Sequence, residues 1–210
     1  AIWLCGMIGT TSQAANQIAL SLASLTFMFA MGLSVTAMIR IGNQKGLNDY
    51  VTLRRVAISI FLLTIIIEVV FALLFVVLHT SLPYIFVDIN DVKNLSKNLE
   101  VIAISANLLL VAAVFQISDG LQVVVLGALR GLQDAKIPMY ITFVAYWVIG
   151  FPISIYLGLE TELKAVGVWI GLLAGLTAAA IFLYIRFNYL TKKLVQVQTN
   201  PEASGQVQLQ

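Results

Sequence analysis

The sequence predicts an all-α fold, a polytopic bundle of transmembrane helices. Three observations carry that prediction. The chain has 210 residues, 60% hydrophobic and only 10% charged, against about 25% charged residues in soluble domains. Its apolar residues run in stretches long enough to cross a bilayer, which takes about 20 residues each. Its basic residues are sorted between alternate connections, as membrane insertion requires and a soluble bundle does not.

Five full spans are expected, at 16–40, 55–79, 101–129, 137–158 and 165–190. A partial one occupies 1–11, where AIWLCGMIG begins at once with no basic region or cleavage site before it. That start is not a signal peptide. It reads as the remainder of a helix, so the chain is expected to be a fragment. The connections are TTSQAA, GNQKGLNDY, LPYIFVDINDVKNLSKN, LQDAK and ETELK. Residues 195–210 are polar and unpatterned, which predicts a disordered tail.

Alternate connections face alternate sides. Arg40, Lys45, Arg54, Arg55, Arg130, Lys136, Arg186, Lys192 and Lys193 collect on one side, Lys93, Lys97 and Lys164 on the other. The richer side is expected to be cytoplasmic, with the C-terminus inside. The link at 12–15 and the loops at 80–100 and 159–164 are then outside.

Composition excludes several classes. A formal charge of +2 is too small for a nucleic-acid partner. Cys5 is the only cysteine and His79 the only histidine, so neither an internal disulfide nor a metal-ligand spacing exists. His79 ends an apolar run and reads as an interfacial side chain. The motifs of metalloproteases, hydrolases and nucleotide-binding loops are absent, and no cofactor is called for.

Two carboxylates fall inside apolar spans, Glu68 and Asp119. A charge at the bilayer centre costs at least about 2.5–3.5 kcal/mol, so such residues face a cavity or a partner and often mark an ion or proton path. Ser105, Gln116 and Gln122 lie within about 60° of Asp119 on its helix, with Leu108, Ala112 and Phe115. That mixed stripe suits a polar chamber. Glu68 has an apolar setting: Phe61, Thr64, Phe71, Ala72 and Phe75.

Gln17, Ser21, Ser24, Met28 and Met31 lie within about 40° of one line on the 16–40 span. Methionine suits adaptable binding surfaces, and helix packing is the equal alternative. The 137–158 span opens at Pro138 and carries Gly150 and Pro152 inside it, behind Tyr146 and Trp147. Proline kinks a helix, and broken helices mark moving or binding regions in transporters. Gly127 with Gly131, and Gly167, Gly171 and Gly175, repeat at four-residue steps that let helices approach closely.

The run QISDGLQVVVLGALRGLQDAKIPM at 116–139 and YWVIGFPISIYLG at 146–158 resemble the multidrug and toxic compound extrusion (MATE) family. So does NQIALSLASLTFMFAMGLSVTAMIRIGNQKG at 16–46. The bacterial NorM-like branch is the most similar type, and the resemblance spans residues 1–194. It implies a twelve-helix transporter of two six-helix lobes, of which this chain is the C-terminal lobe with a truncated first helix. It also implies export of organic, often cationic, drugs in exchange for Na+ or H+ by alternating access, in a bacterial inner membrane and with the N-terminal lobe as partner. The aspartate of the family's SDG-type segment is Asp119 here and belongs to a cation or proton site, which holds Na+ if that is the coupling ion. Glu68 is the second candidate. Gln17, Ser21, Ser24, Met28, Met31, Phe115, Gln116, Gln122 and Tyr146 would line the substrate chamber, with Gly150 and Pro152 as hinge. Some members carry a tyrosine where Phe115 stands, so both coupling ions stay open. The family's other acidic position, early in the lobe's first helix, has no counterpart here. A lipid-linked oligosaccharide flippase of the same superfamily is the alternative, and an intramembrane enzyme a more distant one. No Lys or Arg lies deep in a span, which disfavours an anionic substrate.

Overall fold

The computed structural model describes residues 2–87 and 94–199, and those residues form helices and no strands. The helices are α1 (Ile2–Ile8), α2 (Thr10–Gly46), α3 (Tyr50–Leu78), α4 (Leu95–Gly131), α5 (Lys136–Val144), α6 (Phe151–Leu159) and α7 (Lys164–Thr199). A 3-10 turn occupies Leu82–Ile85, and a π-helical turn at Ala145–Gly150 joins α5 to α6. Among the described residues, five helical segments are long and apolar enough to cross a membrane, counting α5 through α6 as one.

α4 is the central element and packs against α2, α3 and α7. It passes through two apolar cores. One gathers Leu22, Leu108, Ala112, Val168 and Trp169, and the other Ile41, Leu53, Phe61, Leu129 and Phe187. α2 meets α4 through small residues: the Ser34 hydroxyl donates to the Val123 carbonyl at 2.8 Å, and a methyl group at Gly127 would overlap Ser34. The glycine stripe of α7 meets α6 in the same way. A methyl group at Gly167 would strike the Leu157 carbonyl, and one at Gly171 the backbone of Ser154. The outward side chains of α3, such as Ile66, Val70, Leu73 and Val77, are exposed and apolar, as a lipid-facing surface is.

Several helices exceed the spans expected of them. TTSQAA is the first turn and a half of α2, not a link. The junction is Gly9 alone, at φ 156° and ψ 162°, a region that glycine tolerates. Thr11 of that segment reaches across to Glu100 on α4 at 3.4 Å. Residues 95–100 likewise belong to α4, not to the 80–100 loop. At the far end α7 continues to Thr199, so residues 195–199 are helical where a disordered tail was expected. The remainder of that tail, 200–210, and Lys93 lie outside the described residues.

Two tight turns gather the basic residues at one end. Asn48 (φ 57°) and Gln133 (φ 62°) end α2 and α4 in left-handed conformations. Each turn makes the paired bonds of a Schellman cap, Asn48 N to Lys45 O with Asp49 N to Gln44 O, and Gln133 N to Arg130 O with Asp134 N to Leu129 O. Side chains then tie the ends together. Lys45 donates to the Leu132 carbonyl at 2.8 Å, Arg54 to Asn188 at 2.7 Å, and Arg186 Nε to Asp134 at 2.9 Å. Gln198 accepts from the amides of Tyr50 and Val51 at 2.8 and 3.2 Å. This last bond anchors the unexpected extension of α7.

Asp49 caps α3 by accepting from the Thr52 amide at 3.0 Å. That bond, with Arg55 nearby, holds its carboxyl below the usual carboxylate range. A carboxyl lowered in the fold stabilises it above its unfolded value and loses that contribution as pH falls through the folded one. Protection of the Thr52 amide from hydrogen exchange, relative to its intrinsic rate, is therefore expected to fall below the ordinary carboxylate range, and to be low at all pH in Asp49→Ala. Protection unchanged in acid would contradict the cap.

Candidate functional site

Glu68 on α3 and Asp119 on α4 lie within electrostatic range of each other, in the stretch between the two apolar cores. Asp119 is about 18 Å from the C-terminal end of α4 at 1.5 Å per residue, near the middle of a bilayer core about 30 Å thick. Glu68 is 1% exposed, although its own helix face is apolar. Its polar neighbours come from α4. Gln116 Nε2 donates to the Glu68 backbone carbonyl at 3.4 Å, and the carboxyl lies against the α-carbon of Gly120, where a methyl group would stand 2.8 Å from Glu68 Oε1. Gly120 thus makes the room that Glu68 occupies. Glu68 Oε2 and Gln116 Oε1 are buried without a hydrogen-bond partner.

Asp119 is partly buried and within electrostatic range of both Glu68 and Tyr146. The Tyr146 hydroxyl donates to Gln122 Oε1 at 2.9 Å, which brings the π turn onto the same region of α4. Beside them Ser118 and Thr177 share a 3.0 Å hydrogen bond between α4 and α7. Among the described residues no Lys or Arg pairs with either carboxylate; the ion pair seen is Arg186 with Asp134.

The structure therefore brings Glu68, Gln116, Asp119, Gln122 and Tyr146 together and leaves the other candidates apart. Phe115 turns to α7 and packs on Trp169, ring centroids 5.2 Å apart. The stripe of Gln17, Ser21, Ser24, Met28 and Met31 points away from the lobe's core, with Met28 68% exposed. The hydroxyls of Ser21 and Ser24 bond back to the carbonyls of Gln17 and Leu20. Gln17 and Ser21 line a separate cavity of about 410 Å³ with Phe86 and Val101.

Gly150 and Pro152 sit at the end of a widened turn, not a break. Proline has no amide to donate and its ring crowds the carbonyl four residues back, here that of Val148. A π turn over Ala145–Gly150 lets the span continue past that clash. Gly150 is buried against Gly175.

A residue missed by sequence reasoning is Asn16, fully buried, whose Oδ1 accepts from Trp169 Nε1 at 2.9 Å. The signal was an amide among apolar neighbours, but its partner is 153 residues away.

Residues 1–156 match the family model MatE. The chain belongs to the MatE family. Curated relatives agree. The MatE chain is 41% identical over 182 residues to "Probable multidrug resistance protein NorM" of Rhodopseudomonas palustris, covering 87% of this chain and 37% of the relative. It is 37% identical over 191 residues to the NorM protein of Xylella fastidiosa, covering 91% and 39%. The fold is likewise that of MATE transporters. A crystal structure of a eukaryotic MATE transporter matches with a TM-score of 0.74 at 19% identity, over 87% of this chain and 40% of that one. That of a MATE mutant matches with 0.78 at 16% identity, over 90% and 40%. The MatE chain thus spans about two fifths of the length of the relatives it matches, and it has the fold of one lobe of a MATE transporter, a multi-pass membrane protein.

Proposed function

We propose that this lobe belongs to a secondary transporter that expels organic, often cationic, drugs in exchange for Na+ or H+, with Asp119 and Glu68 as the coupling pair. The observation that carries the reading is a pair of mid-span carboxylates on adjacent helices, within electrostatic range of each other and, among the described residues, with no cation paired to either. Like charges in an apolar setting are tolerated when a proton or a cation joins them. Taking up and losing that cation would be the coupling event. Tyr146 and Gln122 are placed to pass the change to the π turn. The names of the relatives supply the substrate class. The chamber would lie between this lobe and an N-terminal one, with the exposed Gln17–Met31 stripe among its walls. The basic end would be cytoplasmic, with the C-terminus inside a bacterial inner membrane. The absence of Lys and Arg from the middle of the described spans speaks against a flippase for anionic oligosaccharides.

The test is efflux from cells or vesicles under separately imposed Na+ and pH gradients. One of the two is expected to drive it, and Glu68→Gln to lower that driven efflux about tenfold, equivalent to about 1.4 kcal/mol on the transport barrier. Efflux indifferent to both gradients would overturn the antiport reading, and undiminished efflux in Glu68→Gln the role of Glu68.

A further inference from the structure

A second polar site lies at the basic end, about 12 residues beyond Asp119 along α4. A cavity of about 290 Å³ opens between the ends of α2, α4 and α7. Its charged lining is Lys45, Arg186, Lys193 and Asp134, three cations against one carboxylate. Two of the cations are fixed in place. Lys45 is held by the Leu132 carbonyl and by Gln133 Oε1 at 3.1 Å. Arg186 meets Asp134 through Nε, a contact that engages neither of its two terminal amino groups. Lys193 is exposed and makes no ion pair among the described residues.

The rest of the wall is apolar. Leu190, Leu194 and Val197 lie within about 40° of one line on α7, and Arg186 and Lys193 lie together along one edge of it. The cavity thus sets cations beside a greasy strip at the level where the spans end. A free phosphate would use the cations alone, whereas an amphiphile with an anionic head uses both. We propose that this cavity binds the phosphate headgroup of an anionic phospholipid, the headgroup at Lys193 and the start of its acyl chain against Leu190, which lies about 4.5 Å nearer the bilayer along α7. Basic pockets between membrane helices have the right chemistry for such headgroups. The bond from Gln198 to Tyr50 and Val51 positions this stretch of α7.

The test is native mass spectrometry of the purified protein in detergent, titrated with phosphatidylglycerol or with phosphatidylcholine. Phosphatidylglycerol is expected to be retained preferentially. Lys193→Gln is expected to weaken that preference about fivefold, the worth of one basic residue at an anionic surface, and Lys193→Arg to restore it. Lys192→Gln, the adjacent exposed lysine outside the cavity lining, is expected to leave it unchanged. Equal retention of the two lipids would overturn the proposal, as would equal losses in the Lys192 and Lys193 variants, which would show diffuse surface charge. Displacement of the lipid by millimolar glycerol 3-phosphate would assign the cavity to a soluble phosphate and overturn the lipid assignment.

Discussion

On the proposed antiport reading, replacing Asp119 by Asn will abolish drug efflux by the protein that carries this lobe, while membrane insertion and folding stay normal. The substitution keeps the size of the side chain and its hydrogen-bonding reach but removes the charge. Asp119 is only partly buried and makes no ion pair within the described chain, so the fold loses no partner when the charge goes. What disappears is the negative charge that, with Glu68, would call for a proton or a cation. Efflux is expected to fall to the level of cells without the transporter, measured by drug accumulation alongside membrane abundance. Undiminished efflux at normal abundance would remove Asp119 from the coupling site.

Gly171→Ala will destabilise the lobe more than an alanine elsewhere on its helices. The added methyl group would overlap the backbone nitrogen and α-carbon of Ser154, and backbone cannot rotate away as a side chain can. α6 must then separate from α7, also straining the 3.1 Å bond from Ser154 Oγ to the Val168 carbonyl. Overpacking of this kind costs about 1–3 kcal/mol. Gly32→Ala is the matched control, since nothing lies within 4 Å of a methyl group there, and alanine favours the helix by up to about 1 kcal/mol over glycine. Thermal unfolding in detergent should lower the midpoint for the Gly171 variant and hold or raise it for the Gly32 variant. Equal midpoints would show that α6 and α7 have slack at this crossing.

How legible these features were depended on the range of the interaction behind them. The apolar spans and the glycine steps are local patterns, and the structure shows helices over those spans and close crossings at those glycines. The weight given to Asp119 over Glu68 came from neighbours on the same helix. That measure does not reach the setting of Glu68, whose neighbours Gln116, a hydrogen-bond donor, and Gly120, which leaves room for the carboxyl, lie on α4 about 50 residues later. Phe115 too has a neighbour that its own helix does not reveal. Its position on the Asp119 face suggested a chamber wall, yet Trp169 of α7 claims its ring. The ends of α2 and α7 were misjudged because hydropathy finds the stretch that needs lipid, whereas a helix continues for as long as its polar side chains find water or partners. Gln198 found its partners at the start of α3.

The π turn has a mechanical consequence. On its α6 side, Gly150, Ser154 and Leu157 are seated against Gly175, Gly171 and Gly167, and that side cannot rotate without separating backbones. On its α5 side, Phe143, Trp147 and Tyr146 are exposed by 58%, 60% and 36%. If the wide turn tightens to α-helical pitch, the chain gains a residue of register, and the twist can be released only on the α5 side. The two sides of the turn are therefore unequal: backbone contact with α7 pins the α6 side, and any change of helical pitch would fall mainly on α5 and on the Tyr146–Gln122 bond at the turn.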